Sequence, residues 1–516
     1  MKQKTNTLTI QSSRQIWFSQ FKFDDVRSCF ADILRESEAL LNANPEILSK
    51  ISDDLERNAM EAKVARRKDR NFADLQTEPF EGFREVDQFA VQSAELQSGR
   101  PRMPATLVYY FIFVRGYLGG SIRSKKSCAF ISESRSLAQL VQSLDLSMPS
   151  VESVSENLNA LSEETLEFIW KRQLSRIKDE KLDDYERLYI DSTSVEANTS
   201  WPTDSSMILG LLGSVYKISQ RLKPFGYENV PKSHCERWLA EMKQLDFEIA
   251  CAKGKAGSEL KRKKLYMRLL NRADKLQAYL RRAFEELGEP GRPLPPSQKL
   301  QINGLLSMAI ERLDFAKQQR AQTYQRIANG KTTPAKERIM SLNDPDCVYI
   351  SKGSREAVIG YKPSIGRSGE GFVVSLNLPR GNAADSDQLT PLTEETISRT
   401  GVVPVCVSVD DGYSSRKGRD SLIELKVKIV SINGSKGKKI TPKEDWESDE
   451  YRQARLDRSS VESLMFTLKF NYEFGRLGRL GHDSAKLEML EKILTHNQVR
   501  AIERRSSIES ARDKAA

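Results

Sequence analysis

The sequence predicts an α/β chain in which a mixed sheet is set among long helical segments, and three observations carry that prediction. β-Branched and aromatic residues alternate from Leu188 and cluster again between Cys347 and Ile432, and a period of two marks strands. Elsewhere apolar residues recur at steps of three and four, as in Leu265, Leu269, Ala273, Leu276, Leu280 and Phe284; that is the period of an amphipathic helix. The chain has 516 residues, enough for about three domains at roughly 100–200 residues each.

Composition removes several classes. With 39% hydrophobic and 8% aromatic residues, the chain is not collagen-like, low-complexity or wholly disordered. Its longest apolar run, Ala105 to Val114, spans ten residues and is interrupted by Thr106. A membrane span needs roughly 20, so no membrane association is expected. The N-terminus MKQKTNTLTIQSS lacks a following apolar segment, which predicts a cytoplasmic protein. Cys29, Cys128, Cys235, Cys251, Cys347 and Cys406 are scattered without a CxxC pair, so reduced thiols are expected. The three histidines are His234, His482 and His496; His234 beside Cys235 reads as a helix-surface His and a buried Cys, with no further ligands nearby to complete a zinc site.

Taken in order, residues 1–185 read as mostly helical, with helical steps in Phe30–Leu34–Leu41 and Leu158–Leu161–Phe168 and with Ser155 and Ser162 as helix starts. The polar stretch Arg57–Asp74 separates the first helices from a block whose apolar run is expected in the core. A strand opens at Leu188, helix resumes after Ser206 to about Met340, and the loop Gly288–Pro296 divides two long helices into an antiparallel hairpin. From Cys347 the reading is three strands (CVYIS, REAVIGYKPSI, GFVVSLNLP), a helix Pro391–Arg399, and a buried strand Val403–Val409. A helix ending at Leu422–Leu425, a strand Val427–Ile432, a helix from Ser448 through Leu468 and a tail frayed after Arg500 complete it. The predicted domains are 1–185, 186–210 with 344–480, 211–343 and 481–516.

Charge is concentrated. The chain carries 81 Lys and Arg against 71 Asp and Glu, a net of +10. Eleven of the bases lie between Lys253 and Arg282, opposed by only Glu259 and Asp274. The helix there presents a basic face with Tyr266 and Tyr279 interleaved. Such a face suits a polyanion, since each cation set against a phosphate releases condensed counterions. Lys261, Arg262, Lys263, Lys264 and Arg268 are the candidate contacts to such a polyanion, and an ordinary solvated helix face is the alternative.

Three acids stand at special places: Asp191 in the first strand, Asp410 at the end of the buried strand, and Glu462 in the helix RSSVESLMFTLK. Acids so placed can converge, and carboxylates suit Mg²⁺, a hard cation that prefers oxygen ligands. A metal pair about 3.5–4 Å apart activates a hydroxyl and stabilises the leaving oxygen of a phosphodiester. Spacing alone does not single out these three among 71 acidic residues.

Context does. YIDSTSVEANTSWPTDS (189–205), DPDCVYISKGSREAVIGYK (344–362), GFVVSLNLPRGNAADSDQL (371–389), TGVVPVCVSVDDGYSS (400–415) and RSSVESLMFTLK (458–469) resemble the catalytic core of DDE-type bacterial insertion-sequence transposases. The resemblance implies an RNase H-like mixed-sheet core with a helical N-terminal DNA-binding domain and a long helical insertion between the first and second core strands. It implies that Asp191, Asp410 and Glu462 bind two Mg²⁺ ions, with Mn²⁺ a substitute, and that Arg458 and Lys469 hold DNA. It implies cleavage at element ends, joining of the 3′-hydroxyl to target DNA, double-stranded DNA as partner, and a homodimer or larger assembly. An RNase H-like nuclease without strand transfer and a catalytically inactive DNA-binding protein are the alternatives. The chain departs from the family pattern at Arg455, where a Tyr is expected and Tyr451 is the nearest upstream, at Trp201, and at Asp411, which follows Asp410. The DxGY register favours Asp410 over Asp411; Asp204 and Asp385 read as supporting or turn-forming acids.

Overall fold

The computed structural model describes residues 29–74, 103–199 and 203–515, apart from 229, 232–233, 253–257, 289, 292–293, 295, 332–339, 342–343, 345, 352–356 and 382. Trp201, Lys253 and Lys255 lie outside the described residues, as does the N-terminal segment before Cys29. The chain divides into two compact units, one of Met1–Asn58, Arg100–Asn198 and Asp346–Ala516, the other of Ala59–Gly99 and Thr199–Pro345. No described helix is long and apolar enough to cross a membrane.

The described strands are β1 (Arg187–Ser192), β2 (Val195–Glu196), β3 (Val348–Ile350), β4 (Val358–Tyr361), β5 (Ser364–Ser368), β6 (Val373–Asn377), β7 (Cys406–Val409) and β8 (Ile429–Ile432). All belong to the first unit. Five of them form a mixed sheet in the order β6-β5-β1-β7-β8. β1 is antiparallel to β5 and β5 to β6, whereas β1, β7 and β8 run parallel. Parallel neighbours need crossovers, and the helices Leu389–Thr400 and Arg416–Glu424 precede β7 and β8. Every residue of β7 is buried, consistent with its apolar run.

Two expected strands each divide in two. The first stops at Ser192, and β2 pairs instead with β4 in a separate three-stranded sheet of order β2-β4-β3. REAVIGYKPSI breaks at Pro363, which has no N–H for a ladder; its carbonyl accepts from Thr193 N–H at 3.0 Å at the same corner. The helix expected from Ser448 to Leu468 is also two, Asp449–Asp457 and Ser460–Asn471. At the join the i→i+3 bonds Val461 N–H to Arg458 O and Glu462 N–H to Ser459 O, both 3.1 Å, tighten the backbone locally.

Helices from both ends of the chain pack on this sheet. The apolar run forms the helix Ala105–Tyr117, buried from Leu107 onward. Ser162 caps the helix Glu163–Asp179 by accepting from Thr165 N–H, and its Trp170 Nε1 donates to Val373 O on β6 at 3.1 Å. Ser155 lies inside the helix Val151–Asn159, which Ser150 caps instead. The C-terminal segment is helical from His482 to Ala515 rather than frayed after Arg500. Arg504 pairs with Glu370, and Arg505 with Glu36 and Glu180; these ion pairs extend the anchoring past the buried stretch.

That helix also buries His496, whose Nε2 lies 3.2 Å from Gly371 O. Burial, reinforced by the nearby Arg500 and Arg367, lowers its pKa to about 4 despite that bond. An unfolded His titrates near 6.5, so between roughly 6.5 and 4 the unfolded chain binds the extra proton. Stability is therefore expected to fall by about 3 kcal/mol as pH drops through that window. His496→Gln should flatten that part of a denaturation-versus-pH curve; an unchanged slope would place the titrating group elsewhere.

The second unit is built from the helices Asp204–Gln220, His234–Cys251, Ser258–Glu285 and Pro296–Asn329. The last two are antiparallel: Arg320 pairs with Asp274 at 2.6 Å, Arg281 with Asp314, and Lys263 Nζ donates to Ala328 O at 3.3 Å. They are not a free hairpin, because the other two helices share their core through Leu211, Leu212, Met242 and Leu245. Thr203 starts the first of the four with a capping box to Ser206. The predicted stripe Leu265, Leu269, Ala273, Leu276 and Leu280 is buried, with Phe284 packed against it.

Candidate active site

Strand register brings the first two predicted acids together. Leu188 pairs with Val407 and Tyr189 with Ser408 in parallel β1 and β7. Continuing that register sets Asp191 level with Asp410, on strands about 4.8 Å apart. Asp410 stands one residue past β7, where its Oδ1 accepts from Gly412 N–H at 3.0 Å. The turn is close-packed there: a Cβ on Gly412 would lie 3.1 Å from Asp410 Oδ1 and 3.4 Å from Asp385 Oδ2.

Glu462 lies in the first turn of the helix Ser460–Asn471. Arg458 joins it to the strand acids: its Nη2 donates to Glu462 Oε1 at 3.0 Å, and its Nη1 is 3.9 Å from Asp191 Oδ2. Arg458 and Asp191 are mostly buried, whereas the Glu462 side chain is 63% exposed. The guanidinium thus offsets the repulsion of two neighbouring carboxylates. The helix break described above does not disturb this pair, since Arg458 and Ser459 keep right-handed helical dihedrals.

Asp411 is differently employed. Its Oδ1 accepts from the N–H groups of Lys436 and Gly437, both at 2.9 Å, and from Ser414 Oγ at 3.1 Å. Desolvation works against its charge, but the Gly437, Ser414 and Lys436 bonds and the Lys436 charge outweigh it and hold the carboxyl below its usual range. A Cβ on Gly434, which has φ +104°, would lie 2.5 Å from the Asp411 Cγ. Asp411 is thereby tied to the start of the helix Ser435–Ile440.

Behind the acids is a group that spacing did not reveal. Lys362 Nζ pairs with Asp385 Oδ1 at 2.9 Å, and both side chains are largely buried. The buried Tyr413 hydroxyl stands 3.5 Å from Ser364 Oγ. Burial raises its pKa well above the usual value against the lowering effect of that bond, and Asp385, Asp191 and Asp410 raise it further. Asp385 therefore lies beside the strand acids. Lys362 was visible only as the last residue of IGYK, a lone lysine without periodic signature. Asp204 belongs elsewhere: it pairs with Arg326 in the helical unit.

The remaining candidates divide by position. Lys469 is half-buried, with its methylenes 3.5–3.8 Å from a Cβ built on Gly475. Tyr451 is buried, its hydroxyl oxygen accepting from Ile432 N–H at 2.9 Å, and Arg455 lies over the Trp446 ring at 4.2 Å; neither offers a free tyrosine surface. Lys261, Lys263, Lys264 and Arg268 are exposed and Arg262 half-buried. The expected aromatic interleaving is not there, because Tyr266 is turned into the core and Tyr279 packs on His234 at 4.4 Å. Arg272 and Arg281 are paired with Glu241 and Asp314, which trims the basic face.

Among the described residues no three His, Cys, Asp or Glu side chains converge closely enough to hold a metal ion. The strand register sets Asp191 level with Asp410, but Glu462 is turned outward onto Arg458. By chemistry the three side chains offer the carboxylate oxygens that a hard divalent cation takes, and Arg458 supplies positive charge between Asp191 and Glu462. The free cysteines Cys128, Cys235, Cys251, Cys347 and Cys406 take no part.

Residues 331–498 match the family model described as Transposase DDE domain. The match includes Asp410, Arg458, Glu462 and Lys469 and begins after Asp191. Neither the curated proteins nor the solved structures gave a match.

Proposed function

We propose, for a chain carrying the DDE domain of transposases across residues 331–498, that it cleaves DNA at the ends of an insertion sequence and joins the freed 3′-hydroxyl to target DNA. The observation that carries this reading is the parallel register of β1 and β7, which continued one residue past Val409 sets Asp191 level with Asp410, with Arg458 lying between Asp191 and Glu462. The five-strand order, with two antiparallel strands flanking β1 on one side and two parallel strands on the other, supports an RNase H-like core. Asp191, Asp410 and Glu462 would hold two Mg²⁺ ions, with Mn²⁺ a substitute.

When bound, such a metal pair supplies charge to the attacking and leaving oxygens of a phosphodiester. The chain's own contribution is placement. Gly412 N–H and the turn it closes fix the Asp410 carboxylate, and β1 fixes Asp191 against it. With the acids holding metal, Arg458 would be available to a DNA phosphate, and Lys469 stands two helical turns from Glu462 on the same side. Asp385 and Lys362 support the floor of the site.

The exposed lysines of the helix Ser258–Glu285 give a second contact. Replacing Lys261, Arg262, Lys263 and Lys264 by Gln is expected to weaken duplex binding and to lower the slope of log K against log salt by about 0.9 per lost phosphate contact. An unchanged slope assigns that face to protein or solvent. The reading as a whole is tested by incubating a plasmid carrying the DNA that flanks the gene with the protein and Mg²⁺. Nicking at the flanks with joined products supports a transposase. Cutting without joining indicates a nuclease, and binding without cutting indicates a DNA-binding protein.

A further inference from the structure

The helix that carries Glu462 also presents two aromatic rings to solvent. Phe466 is 59% and Phe470 41% exposed, and their ring centroids are 4.1 Å apart at an interplanar angle of 31°. The apolar residues Val461, Leu464, Met465 and Leu468 already bury the opposite side of this helix, so the pair is not needed for packing. At 3.6 residues per turn, Phe466 lies about 40° and Phe470 about 80° round the axis from Glu462, and about 6 and 12 Å along it. Lys469 falls on the Glu462 side of that arc.

We infer that Phe466 and Phe470 form a stacking platform for an unpaired nucleotide a few positions along the strand from the phosphodiester that is cut at the acids. The inference rests on the DNA-cleaving reading of the site and deepens it. Its occupant follows from the surroundings. Two exposed rings on the helix that also bears Lys469, with Arg458 one turn before Glu462, match the combination that holds single-stranded nucleic acid, in which cations follow the backbone and aromatic faces take the bases. A backbone repeat of about 3.4 Å per nucleotide in a stacked strand sets the platform two to four nucleotides from Glu462. Strand ends that are cut and transferred must lose pairing locally, and a face that accepts any base suits that requirement.

The probe is a short duplex from the DNA flanking the gene, ending in a three-nucleotide 3′ extension with 2-aminopurine at its first unpaired position, alongside the same duplex blunt-ended. Wild-type protein is expected to quench the 2-aminopurine and to prefer the extended duplex. The Phe466→Ala/Phe470→Ala double variant should lose the quenching and bind the extended duplex about tenfold more weakly, with blunt-duplex affinity unchanged. Phe466→Trp should retain quenching, which ties the effect to an aromatic face and checks folding. Undiminished quenching in the double alanine variant overturns the platform. So does an equal loss of affinity for both duplexes, or a change of oligomeric state on size-exclusion chromatography, which would make the pair a protein contact. Failure of the wild type to bind either duplex overturns the DNA-cleaving reading itself and is scored before any variant is compared.

Discussion

Replacing Asp191 or Asp410 by Asn is expected to lower metal-dependent DNA cleavage by at least about 10³-fold while leaving duplex affinity within a few-fold of wild type. Asn keeps the size of each side chain but gives up the negative charge that a hard cation requires. Removing both should cost little more than removing one, because the acids act as a unit. The neighbouring Asp411→Asn is the informative contrast. Its carboxylate accepts two hydrogen bonds from the start of the helix Ser435–Ile440 and one from Ser414 Oγ, so its loss should appear as lower stability, about 1–3 kcal/mol, with cleavage largely kept. Quench-flow or gel assays across a Mg²⁺ titration, paired with thermal melts, separate the two outcomes. Cleavage lost in Asp411→Asn and kept in Asp410→Asn would reverse the assignment.

The largest expected effect on stability lies far from that site in sequence. Arg115, on the helix Ala105–Tyr117, donates from Nε to Glu491 Oε2 at 2.6 Å and from Nη1 to Asn159 Oδ1 at 3.0 Å. Its side chain is 2% exposed and that of Glu491 is fully buried. Arg479 Nη2 reaches the same carboxylate at 2.8 Å, and Lys492 pairs with Glu488 at 2.7 Å in equally dry surroundings. Arg115→Met leaves Glu491 buried with one partner fewer, and breaking a buried pair typically costs about 3–5 kcal/mol. Guanidinium denaturation should show that loss as a lower midpoint. A change below about 1 kcal/mol would mean that Arg479 alone satisfies the carboxylate. Burial lowers the Arg115 pKa against the raising influence of Glu491, which is the same desolvation seen from the other side.

Local chemistry announced much of this protein. The alternating run that opens at Leu188, the mostly apolar run Val403–Val409 and the period-3.6 stripe from Leu265 to Leu280 are properties of neighbouring residues; Leu188–Ile190, Cys406–Val409 and the stripe are buried. The acid Asp410 was legible because DxGY combines a strand end with a glycine turn, and Arg458 with Glu462 because four residues make one helical turn. Lys362 and the Asp411 anchor were not legible in this way. Their partners, Asp385 and the N–H groups of Lys436 and Gly437, are more than 20 residues away, and no local period records them.

Tyr266 shows the limit most plainly. Its spacing among lysines and arginines suggested a ring on the basic face, yet the core of the helical unit claims it, because burying an aromatic ring gains more than exposing it. The C-terminal helix makes the same point in reverse. Glu488, Glu491, Lys492, Thr495, Asn497 and Gln498 are buried, although the sequence from 481 reads as a helical tail that frays after Arg500. Only tertiary pairing with Arg115, Arg479 and the carbonyl of Val373 turns those residues into core. Propensity and periodicity, which act over a few residues, determined roughly where strands and helices fall, and the resemblance of the sequence blocks, not their spacing, singled out the three acids. Tertiary structure decided which acids meet, which cations they face and which polar groups leave water, since those energies depend on partners that only the folded chain brings within a few ångströms.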